Sequence, residues 1–248
     1  MSTQPAVAYS TGTHPTNQQS ANGESGNLPS VHRLCDLPAA IASVLEHEAI
    51  TTSYPTGAVL FAEGQSARGV FIVRRGRVKL SICGSDGRTL ILRMVDPGCP
   101  LGVAAVVSAR QYEATAETQE PSEISFVRHT DLIRLMRSNG EFALWVTKHI
   151  SQDYASTCRE IRDLILSDSA SEKLARLLVG WLDQHADSKN PNHMKMSLTH
   201  EEIGQMIGTS RETVSRLFAG FKKQRLIQQT GSTLVIPNRV ALESLIGA

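Results

Sequence analysis

Aromatic side chains are scarce, at 5% of 248 residues, so the cores of this chain must be built largely from aliphatic groups. Cysteine is sparse as well. Cys35, Cys83, Cys99 and Cys158 are scattered, with no C-x-x-C pair. That argues against a disulfide framework in a chain of this length and against a structural zinc site, whose ligands come in close pairs. Reduced and mostly buried thiols are expected instead. A charge excess is missing too. The formal net charge is +1, so any basic surface must be local, and overall charge cannot argue for a nucleic-acid partner. No apolar run approaches the ~18 residues of a membrane span. Met1 to Asn27 is polar and lacks the apolar stretch of a signal peptide, which suggests a disordered leader on a cytoplasmic protein.

The 41% hydrophobic share suffices for one large domain or two ordinary ones. From Ala49 to about Arg128 the texture is short strands. Gly57, Gly64, Gly76, Gly87 and Gly98 punctuate it at the roughly ten-residue spacing of an all-β sandwich or barrel. Val78, Leu80 and Ile82 alternate with Arg77, Lys79 and Ser81, the period of a half-buried strand. Leu90, Leu92 and Met94 repeat the pattern, and Asp86-Gly87 between the two runs signals a hairpin turn. Ile124 and Phe126 suggest a closing strand.

From Asp131 the pattern turns helical, with one break at Asn139-Gly140. Glu141 to about Leu166 contains neither Pro nor Gly. Ile150, Tyr154, Thr157, Ile161 and Leu164 follow the 4-3-4-3 spacing of a helix-pair seam. This is either a dimer helix, the preferred reading because a domain stands on each side of it, or a helix packed on its own β-domain. Asp168 to Ser171 reads as a hinge, Glu172 to His185 as an amphipathic helix, and Asp187 to Asn192 as a loop. Beyond it, Leu226-Ile227 and Leu234-Val235-Ile236 flank Gly231 like a two-stranded wing.

The segment before that wing carries the sharpest local signals. Thr199-His200-Glu201-Glu202 fits a capping box, in which hydroxyl and carboxylate each satisfy a helix N-terminal amide. Ile203, Met206 and Ile207 supply an apolar face, and Gly208 ends the helix. Thr209 or Ser210 caps a second helix whose buried stripe is Val214, Leu217 and Phe221. Arg211, Glu212, Ser215 and Arg216 are left on its exposed side near the N-terminus, where a groove-reading helix presents side chains to base edges. Arginine can fork onto guanine, and glutamate can accept from cytosine. From Thr209 to Leu226 there are five basic residues and one acid, a local excess suited to phosphates.

The stretch LTHEEIGQMIGTSRETVSRLFAGFKKQRLI, Leu198 to Ile227, closely resembles the winged helix-turn-helix of the cyclic AMP receptor protein / fumarate-nitrate regulator (CRP/FNR) superfamily. Upstream, GAVLFAEGQ and GVFIVRRGRVKL resemble that family's cyclic-nucleotide-binding β-roll. The resemblance implies an α+β chain: a disordered leader (1–30), a β-roll sensor-like domain (31–130), a dimerisation helix region (131–167) and a winged helix-turn-helix (168–248). It also implies a homodimeric transcription regulator that reads palindromic, TGA-containing half-sites, with RNA polymerase as a partner and no enzymatic role. Arg211, Glu212 and Arg216 match the family's base-contacting positions. Glu212, Ser215 and Arg216 match the E-x-x-S-R variant of the fumarate-nitrate regulator branch, whereas Arg211 resembles the cyclic AMP branch. Thr199, Thr209, Ser210 and Lys222 complete the expected DNA-binding set.

The family's effector pocket typically has a Gly-Glu pair for the ribose and an Arg followed by Ser or Thr for the phosphate. Here Gly102 is followed by Val103, and Tyr112-Glu113 stands where the arginine would begin. A carboxylate there would repel a cyclic phosphate. Cyclic AMP is therefore not the expected effector, although Arg110 is close by, and a nucleotide-binding module with a nonstandard pocket is the alternative. No iron–sulfur cluster is expected, because only Cys35 lies in the N-terminal segment and four thiolates are usual. Haem is not expected either, since nothing in the spacing of Cys83 or His149 singles out an axial ligand. A thiol switch at Cys99 or Cys158 stays open, Cys158 standing beside Arg159, and Cys158 joins Gly102, Val103, Tyr112 and Glu113 as the candidate effector-pocket residues.

Overall fold

The computed structural model describes residues 39–166, 169–187 and 190–246. The expected leader and Cys35 lie outside them. After helix α1 (Ala39–Glu48) the chain forms strands β1 (Ile50–Tyr54), β2 (Val59–Phe61), β3 (Gly69–Arg75), β4 (Val78–Cys83), β5 (Thr89–Val95) and β6 (Pro100–Leu101). Helix α2 (Val103–Val107) separates these from β7 (Thr115–Thr118) and β8 (Ser122–Arg128). Then come α3 (His129–Ser138), α4 (Gly140–Leu166), α5 (Ala170–His185), β9 (Ala186–Asp187) and β10 (Asn190–Lys195). The chain closes with α6 (His200–Ile207), α7 (Arg211–Lys223), β11 (Gln228–Thr230), β12 (Thr233–Val235) and α8 (Arg239–Glu243).

Two antiparallel four-stranded sheets make the roll, with strand orders β1-β8-β3-β6 and β2-β7-β4-β5. Strand β3 reads as a continuous apolar run because both its faces are covered. Phe71 and Val73 face the roll interior with Phe61, Val78, Leu101 and Ile124. Val70 and Ile72 face outward and pack with Leu45, Leu132, Phe142, Trp145 and Val146. The β4–β5 hairpin turns at Gly87, whose φ of 79° favours glycine.

The two hairpin strands depart from simple alternation. Leu90, Leu92 and Met94 are only half-buried, and the buried β5 residues are Ile91 and Val95. The cause is a bulge. Leu80 pairs with Arg93 and Ser81 with Ile91, so Leu92 is an extra residue that reverses the facing of the rest of the strand. Ser81, the partner of Ile91, is buried as well.

Helix α4 is two-faced. Phe142, Trp145, Val146 and His149 are buried, and Ile150 also packs toward the roll rather than joining the anticipated seam. The opposite face leaves Leu144, Tyr154, Thr157, Cys158 and Ile161 exposed. The reading of a helix packed on its own β-domain therefore holds for the stretch from Phe142 to Ile150. The side chain of Leu164 lies outside the described residues. Arg93 ties β5 to α4 by a two-pronged ion pair with Asp153, at 2.9 and 3.3 Å.

Ser169 caps α5, its hydroxyl accepting from the Glu172 amide at 3.1 Å, so the last residues of the anticipated hinge belong to the helix. The anticipated loop at Asp187 to Asn192 instead runs into strand β10, whose partners are β9 and β12. The wing is thus half of a four-stranded sheet, β11-β12-β10-β9. An aliphatic core of Leu174, Leu178, Leu182, Ile203, Ile207, Leu234 and Ile236 joins α5, α6 and this sheet. Helix α6 also packs against β5, and Arg77 donates to the Ser197 hydroxyl, so the head rests on its own roll.

Candidate nucleic-acid interface and the roll interior

The capping box forms as its residues require. The Glu202 amide donates to Thr199 Oγ1 at 3.2 Å, and the Thr199 amide donates to Glu202 Oε2 at 2.7 Å. Gly208 closes α6 in the left-handed region, with φ of 68°. One residue after Thr209, Ser210 caps α7 by accepting from the Thr213 amide at 3.2 Å. These two caps fix where each helix begins and hence which residues of α7 face outward. Val214, Phe218 and Phe221 are buried, while Leu217 is only partly so, which corrects the expected stripe. The i, i+4, i+7 choice follows from burial of the wider aromatic ring against α6, where His200 packs on Phe218 at 4.7 Å.

Arg211, Glu212, Ser215 and Arg216 are all exposed on the N-terminal half of α7. The amide of Glu212 at the helix start, then the Ser210 side chain, hold the Glu212 carboxyl below its usual range, so it is ionised at neutral pH. Arg216 approaches Thr213 Oγ1 at 3.4 Å, a weak contact. Lys222 donates to Gln229 Oε1 at 2.9 Å, linking the end of α7 to the wing. Thr199 and Ser210 are exposed and Thr209 is half-buried, all close to the helix starts. This face offers an acid, two guanidinium groups and hydroxyls within two helical turns, a chemistry that can match both phosphates and base edges.

Sequence reasoning passed over His200. Its Nδ1 lies 2.9 Å from Ser215 Oγ, so it belongs to the same face. Burial, followed by the nearby charges of Lys222 and Arg211, holds its imidazole below the ordinary pKa. The available signal was a ring-bearing polar residue at the first position of α6, where the glycine turn swings α7 across it.

The roll interior is different. Tyr112 is buried, stacked on Phe61 with ring centroids 4.0 Å apart. Its hydroxyl donates to the Gly69 carbonyl at 2.6 Å. Gly102, with φ of 78°, lies directly against it: a Cβ there would come within 2.6 Å of the Tyr112 ring. The ring therefore occupies the space beside the glycine expected to begin an effector cradle. Val103 is buried in the core toward α4, and Glu113 and Arg110 are exposed. Cys158 does not join this group. It is exposed on α4, near Tyr154, so its assignment to the pocket is corrected: the helix turns that face away from the roll.

A β-roll, a long central helix and a winged helix-turn-helix define a DNA-binding regulator with a nucleotide-binding type of N-terminal domain. The "Cyclic nucleotide-binding domain" family profile matches residues 51–139, and the "Crp-like helix-turn-helix domain" profile matches residues 172–245. The "cAMP-activated global transcriptional regulator CRP" of Haemophilus influenzae is 28% identical over 184 residues, 74% of this chain and 82% of that protein. Among solved structures, FixK2 from Bradyrhizobium japonicum superposes with a TM-score of 0.72 at 23% identity, covering 81% of this chain and 98% of that one. The c-di-GMP responsive regulator CLP of Xanthomonas campestris gives a TM-score of 0.69 at 18% identity, covering 81% of this chain and all (100%) of that one. The chain belongs to the CRP/FNR family of DNA-binding transcription regulators. No helix among the described residues is long and apolar enough to cross a membrane.

Proposed function

We propose that this regulator acts as a homodimer that reads palindromic, TGA-containing half-sites with α7 and does so without cyclic AMP. The observation that carries the reading is the exposed N-terminal face of α7, where Arg211, Glu212, Ser215 and Arg216 stand clear of the buried stripe. Thr199, Thr209, Ser210 and Lys222 flank it as backbone contacts. Two heads joined through the exposed face of α4 would address half-sites about one helical turn apart. The exposed Tyr154 and Ile161 supply apolar area for that pairing.

Independence from cyclic AMP is supported by the Tyr112 ring against Gly102, and by the valine and glutamate at positions 103 and 113. The relative from Haemophilus influenzae is cyclic AMP-activated and that from Xanthomonas campestris is c-di-GMP responsive, so a different nucleotide in a nonstandard pocket is the second reading. The proposal includes no haem, metal or iron–sulfur cluster. Cys83, Cys99 and Cys158 stand on β4, before β6 and on α4, and no three metal-ligating side chains converge among the described residues. RNA polymerase as partner and the cytoplasm as compartment follow from family resemblance.

Selection of bound sites from random duplex DNA, with and without cyclic AMP, cyclic GMP and c-di-GMP, tests the reading. A TGA-containing palindrome enriched equally in every arm is expected. Equal affinity for palindrome and random DNA would overturn it, and enrichment in one nucleotide arm alone would favour the second reading. Sedimentation with and without Ile161→Glu tests the pairing: wild type should run as a dimer and the variant as a monomer.

A further inference from the structure

His200 is built into the DNA-facing surface without being one of its expected contacts. It is the first residue of α6, its ring packs on Phe218 at an interplanar angle of 31°, and its Nδ1 sits 2.9 Å from the Ser215 hydroxyl. The ring is thus clamped on one side by the core of the head and on one edge by an exposed residue of α7. We propose that His200 is a proton-operated positioning residue that decides whether the Ser215 hydroxyl offers DNA a donor or an acceptor. This rests on α7 being the DNA-reading helix.

The chemistry comes from counting protons on two groups. Serine has one hydroxyl proton and two lone pairs. When His200 is neutral with its proton on Nε2, Nδ1 is an acceptor and the Ser215 hydroxyl donates its hydrogen bond to it. Ser215 then presents only lone pairs outward, which repel a phosphate oxygen and suit a base amino group. When His200 is protonated, Nδ1–H donates to Ser215 Oγ and the serine proton turns outward. Ser215 then suits a phosphate oxygen or a base acceptor. A gain of one proton on the imidazole therefore reverses the polarity of a neighbouring contact without moving the backbone.

DNA would favour the protonated form. Among the described residues, the charges that act on the ring are Lys222 and Arg211, both on α7, with none resolved from β5 or α5, which also pack against α6; Ser215 and Phe218 are neutral. Burial and those two cations keep the imidazole below its ordinary pKa in the free protein. A phosphate beside Lys222, together with the negative field of the duplex around Arg211, would offset the two cations and raise it. The bound-state pKa then lies above the free-state one. The extra affinity is fully present below the free-state pKa and is lost as pH rises through the bound-state pKa. With the free value below the ordinary imidazole range, that window opens on the acidic side of neutrality.

The test is a fluorescence-anisotropy titration of the full chain at fixed salt, from about pH 5.5 to 8. It uses the selected palindrome and a random duplex, with wild type, His200→Gln and Ser215→Ala. Wild type should bind the palindrome up to about tenfold more tightly at the acid end. His200→Gln, which keeps a polar group near Ser215 but cannot titrate there, should be flat. Ser215→Ala should keep the rise shared by both duplexes and lose the part peculiar to the palindrome. The His200 ring signal in a proton NMR titration should report a low pKa that rises when the palindrome is added. Wild type that prefers the palindrome equally at every pH, or a pH dependence retained in His200→Gln, would overturn the proposal while leaving the reading of α7 intact. No palindrome preference at any pH would instead overturn that reading, and this inference with it. Thermal melts of each variant at each pH establish that the compared proteins are folded.

Discussion

The interior of the roll and the outer face of the head treat polar groups in opposite ways. In the roll, Tyr112 turns its hydroxyl onto the Gly69 carbonyl and its ring onto Phe61, and both its polar and apolar surface are used in packing. In the head, the buried stripe of α7 is wholly apolar, and the polar side chains stand outside it with short-range partners only, as between Arg216 and Thr213 or Ser215 and His200. A buried polar group must be satisfied internally, whereas an exposed one can exchange water for a ligand. The difference locates function. Under the proposed reading, the roll interior beside Gly102 serves as core, and the head keeps its hydrogen-bonding capacity available.

That contrast can be broken most severely at Tyr112. Tyr112→Ala would remove a stacked ring and leave a void between Phe61 and Gly102, costing about 3–5 kcal/mol of folding stability by analogy with other large-to-small aromatic truncations. Urea unfolding followed by circular dichroism would measure it. Palindrome selectivity of the folded fraction should be unchanged, because the lost contacts lie in the roll. Arg216→Ala should do the reverse. Unfolding should shift little, while binding to the selected site weakens by about 1–3 kcal/mol with selectivity relaxed at one base pair. Glu212→Ala should relax a different single position. If Glu212→Ala leaves selectivity intact, α7 is docked otherwise than proposed.

The head was almost entirely legible in the sequence, because its geometry is set by local chemistry. Thr199 and Glu202 cap within four residues, Gly208 needs only its own φ, and Ser210 caps three residues ahead. Where the reading slipped there, at Leu217 in place of Phe218, the choice depended on His200 from the preceding helix. The roll was legible in outline only. Its strands and hairpin follow from alternation and turn residues, but the bulge at Leu92 comes from pairing with β4 and has no signal in β5 itself. The Arg93–Asp153 pair, sixty positions apart in sequence, is likewise visible only once α4 is laid across β5. The absence of the usual glutamate and arginine was readable at Val103 and Tyr112, but the filling of the vacated space by the Tyr112 ring was not.

A smaller effect sharpens the boundary between folding and recognition inside the head itself. Thr199 is both a cap and an expected backbone contact. Thr199→Ala removes the acceptor for the Glu202 amide and should cost about 1 kcal/mol of stability. Thr199→Ser keeps the cap. If the alanine variant binds all duplexes more weakly and the serine variant matches wild type, the hydroxyl serves the helix start and the phosphates together.

The smallest expected effect is at Lys222, and it separates the two kinds of contact on α7. Its ammonium is exposed and bonded to Gln229 at the wing, so its removal leaves no buried group unsatisfied and should hardly change unfolding. A phosphate contact carries no sequence information, and its loss releases about one fewer counterion on binding. Lys222→Ala should therefore weaken palindrome and random duplex by the same factor and flatten the plot of log affinity against log salt by about one unit per head. Arg216→Ala should change the ratio between the two duplexes instead. If Lys222→Ala alters that ratio while leaving the salt slope untouched, the end of α7 reads bases, and the helix lies deeper along the groove than its N-terminal face alone would place it.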